Sequence, residues 1–235
     1  MTDTAIQTLL WAALSIGFLH TIVGVDHYLP FVAIGKARGW SLSKTLLLTF
    51  VCGLGHILSS VILGVFGILM GIALGRLTWL ESIRGSFAAW LLITFGFIYA
   101  LCSLFRTLQG KHHTHLPSPL EIPDPTHQAT PASRDKEQHQ ANKLTRWTLF
   151  LIFVFGPCEA LIPLLMVPAY SHDGWVVFYV AVLFGLATLT TMFLAVSVGY
   201  MGLKFFSFRV LHHHGDTIAG LAIASSGLAI QFFGL

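Results

Sequence analysis

Apolar residues come in long runs, separated by short polar stretches. Six runs are long enough to span a hydrocarbon core, which takes about 20 apolar residues as a helix: 5–35, 43–75, 86–106, 146–170, 175–203 and 216–235. None shows the period-2 alternation of a barrel strand. Backbone facing lipid must satisfy its own hydrogen bonds, so the runs are read as helices. The expected fold is all-α, a polytopic membrane protein of six transmembrane helices.

Two of the runs carry related interruptions. Residues 24–30 read "GVDHYLP" and residues 156–163 read "GPCEALIP". In both, a glycine, two polar or reactive residues and a proline follow in order. Asp26 and His27 fall opposite Cys158 and Glu159. Ser59 and Ser60 fall opposite Thr190 and Thr191, and Gly96 falls opposite Gly227. Three matches in the same order predict a 3+3 repeat. Each half has an odd number of spans, so the repeat is inverted. In transporters built this way the substrate site lies where helices are interrupted near the midplane. The chain divides into a first repeat (1–106), a flexible His- and Pro-rich loop (107–145) and a second repeat (146–235).

Composition agrees with a membrane class. The chain of 235 residues is 55% hydrophobic and 10% charged, against about a quarter charged in soluble domains. Eleven of the 13 Lys and Arg residues fall in the 36–44, 106–146 and 204–215 loops. Arg76 and Arg84 fall on the other side. This bias places the basic loops in the cytoplasm and both termini outside, in the cell (cytoplasmic) membrane. The cations form no basic face, which speaks against nucleic acid. No cleavable signal peptide is expected, because the first apolar run follows Asp3 and no Lys or Arg. The loop holds five of nine prolines and too few apolar residues to offset its ordering. Its His112, His113, His115, His127 and His139 are either incidental or metal-binding. "HHHG" at 212–215 reads as a polar cap at a loop.

Ionisable groups inside spans are costly, about 2.5–3.5 kcal/mol each on insertion scales, so they point to function. The candidates are His20, Asp26, His27, His56, Cys158 and Glu159. Imidazole and carboxylate suit first-row divalent ions, and thiolate extends the range to softer ones. In a straight helix His20 and His27 share a face but lie about 10 Å apart. Either the helix loosens near Gly24, or two sites lie along one path. Asp26 points away from that face and fits the role of a carboxylate that orients a ligand histidine. Cys52 and Cys102 read as packing residues.

These residues resemble the nickel/cobalt transporter family of the lysine-exporter-like superfamily. That family carries a His, four residues and Asp-His, then a later Gly-His. Here His20 precedes Asp26 and His27 by five residues, and Gly55-His56 supplies the second motif. "GPCEALIP" is also similar to urease-accessory membrane proteins and to the thiol-electron carriers of cytochrome c biogenesis. The resemblance implies binding of a divalent transition metal, nickel or cobalt, at His20, Asp26, His27 and His56, and its transport across the membrane. Export is favoured over uptake. The metal is cargo, and no prosthetic group or enzyme activity is implied. The lipid bilayer is the surrounding partner, with a homo-oligomer or a cytoplasmic metal chaperone left open. Two other readings stand beside it: a thiol-disulfide carrier using Cys52 and Cys158, and an exporter of a small anion. The last wants cations in the spans, and none is expected at their centres.

Overall fold

The structure is a computed structural model that describes residues 2–108, 131–156, 158, 160–171, 173–205 and 209–233. Its described residues are all-α, without strands. Helix α1 (Asp3–Val23) begins at Thr2, whose hydroxyl accepts from the Ala5 amide at 3.4 Å. It stops before Gly24, a poor helix former. A single 3-10 turn, Val25–His27, follows, then α2 (Leu29–Ala37), which has Pro30 in its first turn. Proline is tolerated there because that position needs no N–H donor. Helix α3 (Leu42–Leu69) is capped by the Ser41 hydroxyl, which accepts from Lys44 N at 3.3 Å. Turns at Gly39 and Gly71 use φ near +60°, a backbone conformation that favours glycine.

The rest of the chain repeats the plan. Helix α4 spans Leu74–Leu108, α5 Pro131–Phe155, α6 Leu161–Tyr170, α7 Gly174–Phe205 and α8 Arg209–Phe233. A broken helix followed by two long ones occurs twice. The packing pairs obey the same exchange. Helix α1 lies on α7 and α5 on α3; α2 lies on α8 and α6 on α4; α4 crosses α8. Swapping the halves maps this set of pairs onto itself.

The α4–α8 crossing fixes the register of the repeat. If Gly96 is equivalent to Gly227, then Ala89 is equivalent to Gly220. A Cβ on Gly96 would strike the backbone of Gly220 and Ala224, and one on Gly227 would lie 2.8 Å from the Ala89 carbonyl oxygen. The Gly96–Gly220 and Ala89–Gly227 contacts are thus images of each other. Small residues let two helices approach backbone to backbone, the usual device of packing in lipid.

Among the described residues, five helices are long and apolar enough to cross a membrane: α1, α3, and most of α4, α7 and α8. The outer surface is correspondingly apolar. Trp11, Leu47, Ile62, Leu69, Trp90, Leu194, Val198 and Phe232 are exposed, while Thr21, His27, His56, Ser60, Glu81, Thr188 and Ser226 are buried. Water-facing proteins rarely expose so much contiguous apolar surface. The chain is a membrane-embedded all-α protein.

Four sequence boundaries are corrected. The third span begins at Leu74 rather than residue 86, so Glu81 and Arg84 belong to a helix and not to an outer loop. The fourth is two helices, α5 and α6. Helix α5 starts at Pro131, inside the segment read as a flexible linker, and α8 starts at Arg209, so 212–215 is helical backbone with a non-helical step at His214. His112, His113, His115 and His127 lie outside the described residues.

Candidate metal centre at the broken helices

The break at Gly24 brings together what a straight helix would hold apart. The Gly24 amide still bonds to the His20 carbonyl at 3.0 Å, but the next turn tightens, with His27 N on Gly24 O at 3.1 Å. The Tyr28 hydroxyl reaches back to the Ile22 carbonyl at 3.3 Å. His27 is thereby folded onto His20, with ring centroids 4.8 Å apart. His56, from the middle of α3, meets His27 at 5.2 Å between centroids. One donor nitrogen from each of His20, His27 and His56 lies within 4.8 Å of the others. Of the two alternatives left by the sequence, the loosened helix is the one found.

Hydrogen bonds set the tautomers. His27 Nδ1 lies 3.0 Å from the Gly24 carbonyl oxygen, and His56 Nδ1 lies 3.2 Å from that of Phe153. A carbonyl only accepts, so each Nδ1 carries the proton and each Nε2 keeps its lone pair. The Nε2 atoms of His20, His27 and His56 are all buried and have no protein partner. Buried polar atoms are nearly always paired, and three unpaired ones on rings packed edge to face mark a ligand site. A metal bonded at about 2.1 Å holds its nitrogens about 3.0–4.2 Å apart. The donor nitrogens, within 4.8 Å of one another, must draw together by up to about 1–2 Å to hold an ion. Ligand histidines typically donate their other N–H to a carbonyl or carboxylate, as here.

Asp26 stands beside the group rather than in it. Its Oδ1 lies 3.2 Å from His27 Nδ1, off the hydrogen-bond direction that Gly24 takes. The carboxylate biases the ring electrostatically and faces a cavity of ≈20 Å³ bounded by His56, Phe153, Gly156 and apolar side chains of α4 and α8. That volume admits about one water-sized guest.

Glycine makes room on both sides of the site. A Cβ on Gly24 would lie 2.5 Å from His27 Nδ1, and one on Gly156 would lie 3.1 Å from His56 Nδ1. These are the equivalent glycines of the two breaks. The breaks differ in chemistry, however. At the second, Arg84 donates to the carbonyls of Val154 (3.0 Å) and Gly156 (3.3 Å) and to the Ser59 hydroxyl (2.9 Å). It also pairs with the fully buried Glu81 at 2.5 Å. Glu81 Oε2 in turn accepts the Cys158 amide at 3.3 Å. The carbonyls and amide freed by the break are thus taken up inside the protein. The sequence reading misses this pair, because the apolar run was started too late. The signal was there in "ESIR", an acid and a base three residues apart on one helix face.

Cys158 is not part of the histidine group. Its thiol is buried among Ala13, Leu161, Val180 and Phe184. Cys52 is buried in a different cluster, with Phe31, Phe153 and Met192. Cys102, read as a packing residue, is exposed, and all three cysteines are free. Glu159 lies outside the described residues.

Fold and site together define a polytopic helical membrane protein with a buried histidine group at a helix break. No protein-family model, curated protein or solved structure matches the chain.

Proposed function

We propose that the protein carries a divalent transition-metal ion across the cell membrane, with His20, His27 and His56 as ligands and Asp26 as the carboxylate beside His27. The observation that carries this reading is the trio of buried, unpartnered Nε2 atoms. Neutral imidazoles suit nickel, cobalt and zinc more than magnesium or calcium; the resemblance of the motif favours nickel or cobalt. The inverted arrangement of broken helices is the plan on which alternating access is built. The basic loops face the cytoplasm and both termini lie outside. Of the 13 cations, Arg84 is now an internal one, which leaves Arg76 as the outer-side exception and strengthens that orientation. Export is the favoured direction, with a second copy or a cytoplasmic metal chaperone as partner. The ion is cargo, and the protein is not an enzyme. The separate burial of Cys52 and Cys158 supports this reading over the thiol-carrier one, because a disulfide needs Cα atoms within about 7 Å.

The test is transport in vesicles. Full-length protein reconstituted with an internal metal-sensing dye should pass nickel or cobalt and exclude magnesium. His27→Ala should reduce flux to the level of empty vesicles. Equal flux of the variant would remove the site from the mechanism.

A further inference from the structure

Away from the histidine group, α3 and α5 leave an open groove of ≈440 Å³ between them, lined by Leu48, Val51, Lys143, Arg146, Trp147 and Phe150. The four α5 residues follow the i, i+3, i+4, i+7 pattern, so they form one face. The groove combines two chemistries. Its wall is apolar, and its end carries two cations. Arg146 Nε donates to the Asn142 carbonyl at 3.2 Å, and neither Arg146 nor Lys143 has a carboxylate partner among the described residues. Lys44 lies one turn before Leu48 at the same end of α3, with its Nζ 4.9 Å over the Trp40 ring. Trp147 is 55% exposed and Leu144 70%, so the groove opens toward the lipid-facing surface. An amphipathic Trp beside Lys and Arg is the usual furniture of the membrane–water boundary.

We infer that this groove is a binding site for an anionic phospholipid, its phosphate between Lys143 and Arg146 and an acyl chain along Val51, Trp147 and Phe150. Charge complementarity selects this occupant. Basic pockets between membrane helices hold anionic head groups, whereas a zwitterionic lipid brings its own cation to the same place. The groove joins the first repeat to the second through α3 and α5. His56 lies further along α3 and its carbonyl partner Phe153 further along α5. A lipid here therefore braces the two helices that position one of the site imidazoles.

The experiment is native mass spectrometry of the full chain in mild detergent, titrated with phosphatidylglycerol or phosphatidylcholine. Phosphatidylglycerol should be retained preferentially. K143Q/R146Q should lower that retention about tenfold or more, and R76Q, which removes a cation elsewhere, should leave it unchanged. V51W fills the groove without altering charge and should also displace the lipid. It keeps the test valid where the charge variant folds poorly. Equal retention of both lipids, or unchanged retention in V51W, would overturn the assignment. So would displacement by soluble glycerol phosphate at equal concentration, which would make this a free-phosphate site. Loss of a dimer rather than of lipid in V51W would assign the groove to a second copy of the chain.

Discussion

Two of the imidazoles in the site, His27 and His56, have the proton on one side and the lone pair on the other. The protons of His27 and His56 are anchored on the carbonyls of Gly24 and Phe153. Both carbonyls lie beside a helix break, so the breaks themselves orient the ligands. Glycine is required there for space. Gly24→Ala would drive a methyl group into the His27 ring, and the ring has little room to retreat because His20 and His56 flank it. Metal affinity in this variant should fall at least tenfold, with the protein still folded and inserted; isothermal titration with nickel beside circular dichroism checks both. Asp26→Asn keeps the size of the side chain and removes its charge. Outer partners of this kind are typically worth 10–100-fold in metal affinity, and the same titration should show a loss in that range. Unchanged affinity would reduce Asp26 to a packing role.

Between elements, the two breaks share a backbone plan but have diverged in chemistry. The first is left open, with three unpaired nitrogens. The second is closed by Glu81 and Arg84, which satisfy backbone groups from α5 and the chain leading into α6. A buried pair that loses one member leaves the other uncompensated, typically at about 3–5 kcal/mol. Glu81→Ala should therefore lower the thermal stability in detergent far more than Arg76→Ala at the exposed start of the same helix. Equal stability of the two variants would show that the pair braces nothing. Much of this level was legible in the sequence. "GVDHYLP" and "GPCEALIP" announce both breaks, since Gly and Pro interrupt helices through their own backbones. The closing of the His20–His27 distance was not legible, because pitch alone allows either a broken helix or two sites. His56 could be named as a candidate, but only the packing of α3 on α5 shows that its proton is held by Phe153. Glu81 was missed because charge was taken as the end of the span, although a paired charge can lie within one.

At the scale of the whole molecule, the two halves meet along the α4–α8 crossing. Here Gly96 and Gly227, set opposite each other in the sequence, make close contacts at Gly220 and Ala89 that are images of each other. The boundaries of α4, α5 and α8 were less legible, because polar helical turns extend beyond the apolar run and hydropathy does not register them. Gly96→Val should force α4 from α8, since the obstacle is backbone and cannot repack. Overfilling of this kind costs about 1–3 kcal/mol or more. Gly75→Val, facing open space on the same helix, should cost much less; thermal unfolding of both in detergent makes the comparison. The account as a whole rests on the histidine group binding an ion within the helical bundle. The most direct measurement is elemental analysis of the full-length protein, purified in mild detergent after loading with nickel, cobalt or zinc, beside the His20→Ala/His27→Ala variant. One ion per chain in the wild type, absent from an equally well-folded variant, is the predicted result. Equal metal in both proteins, or none in either, would contradict it.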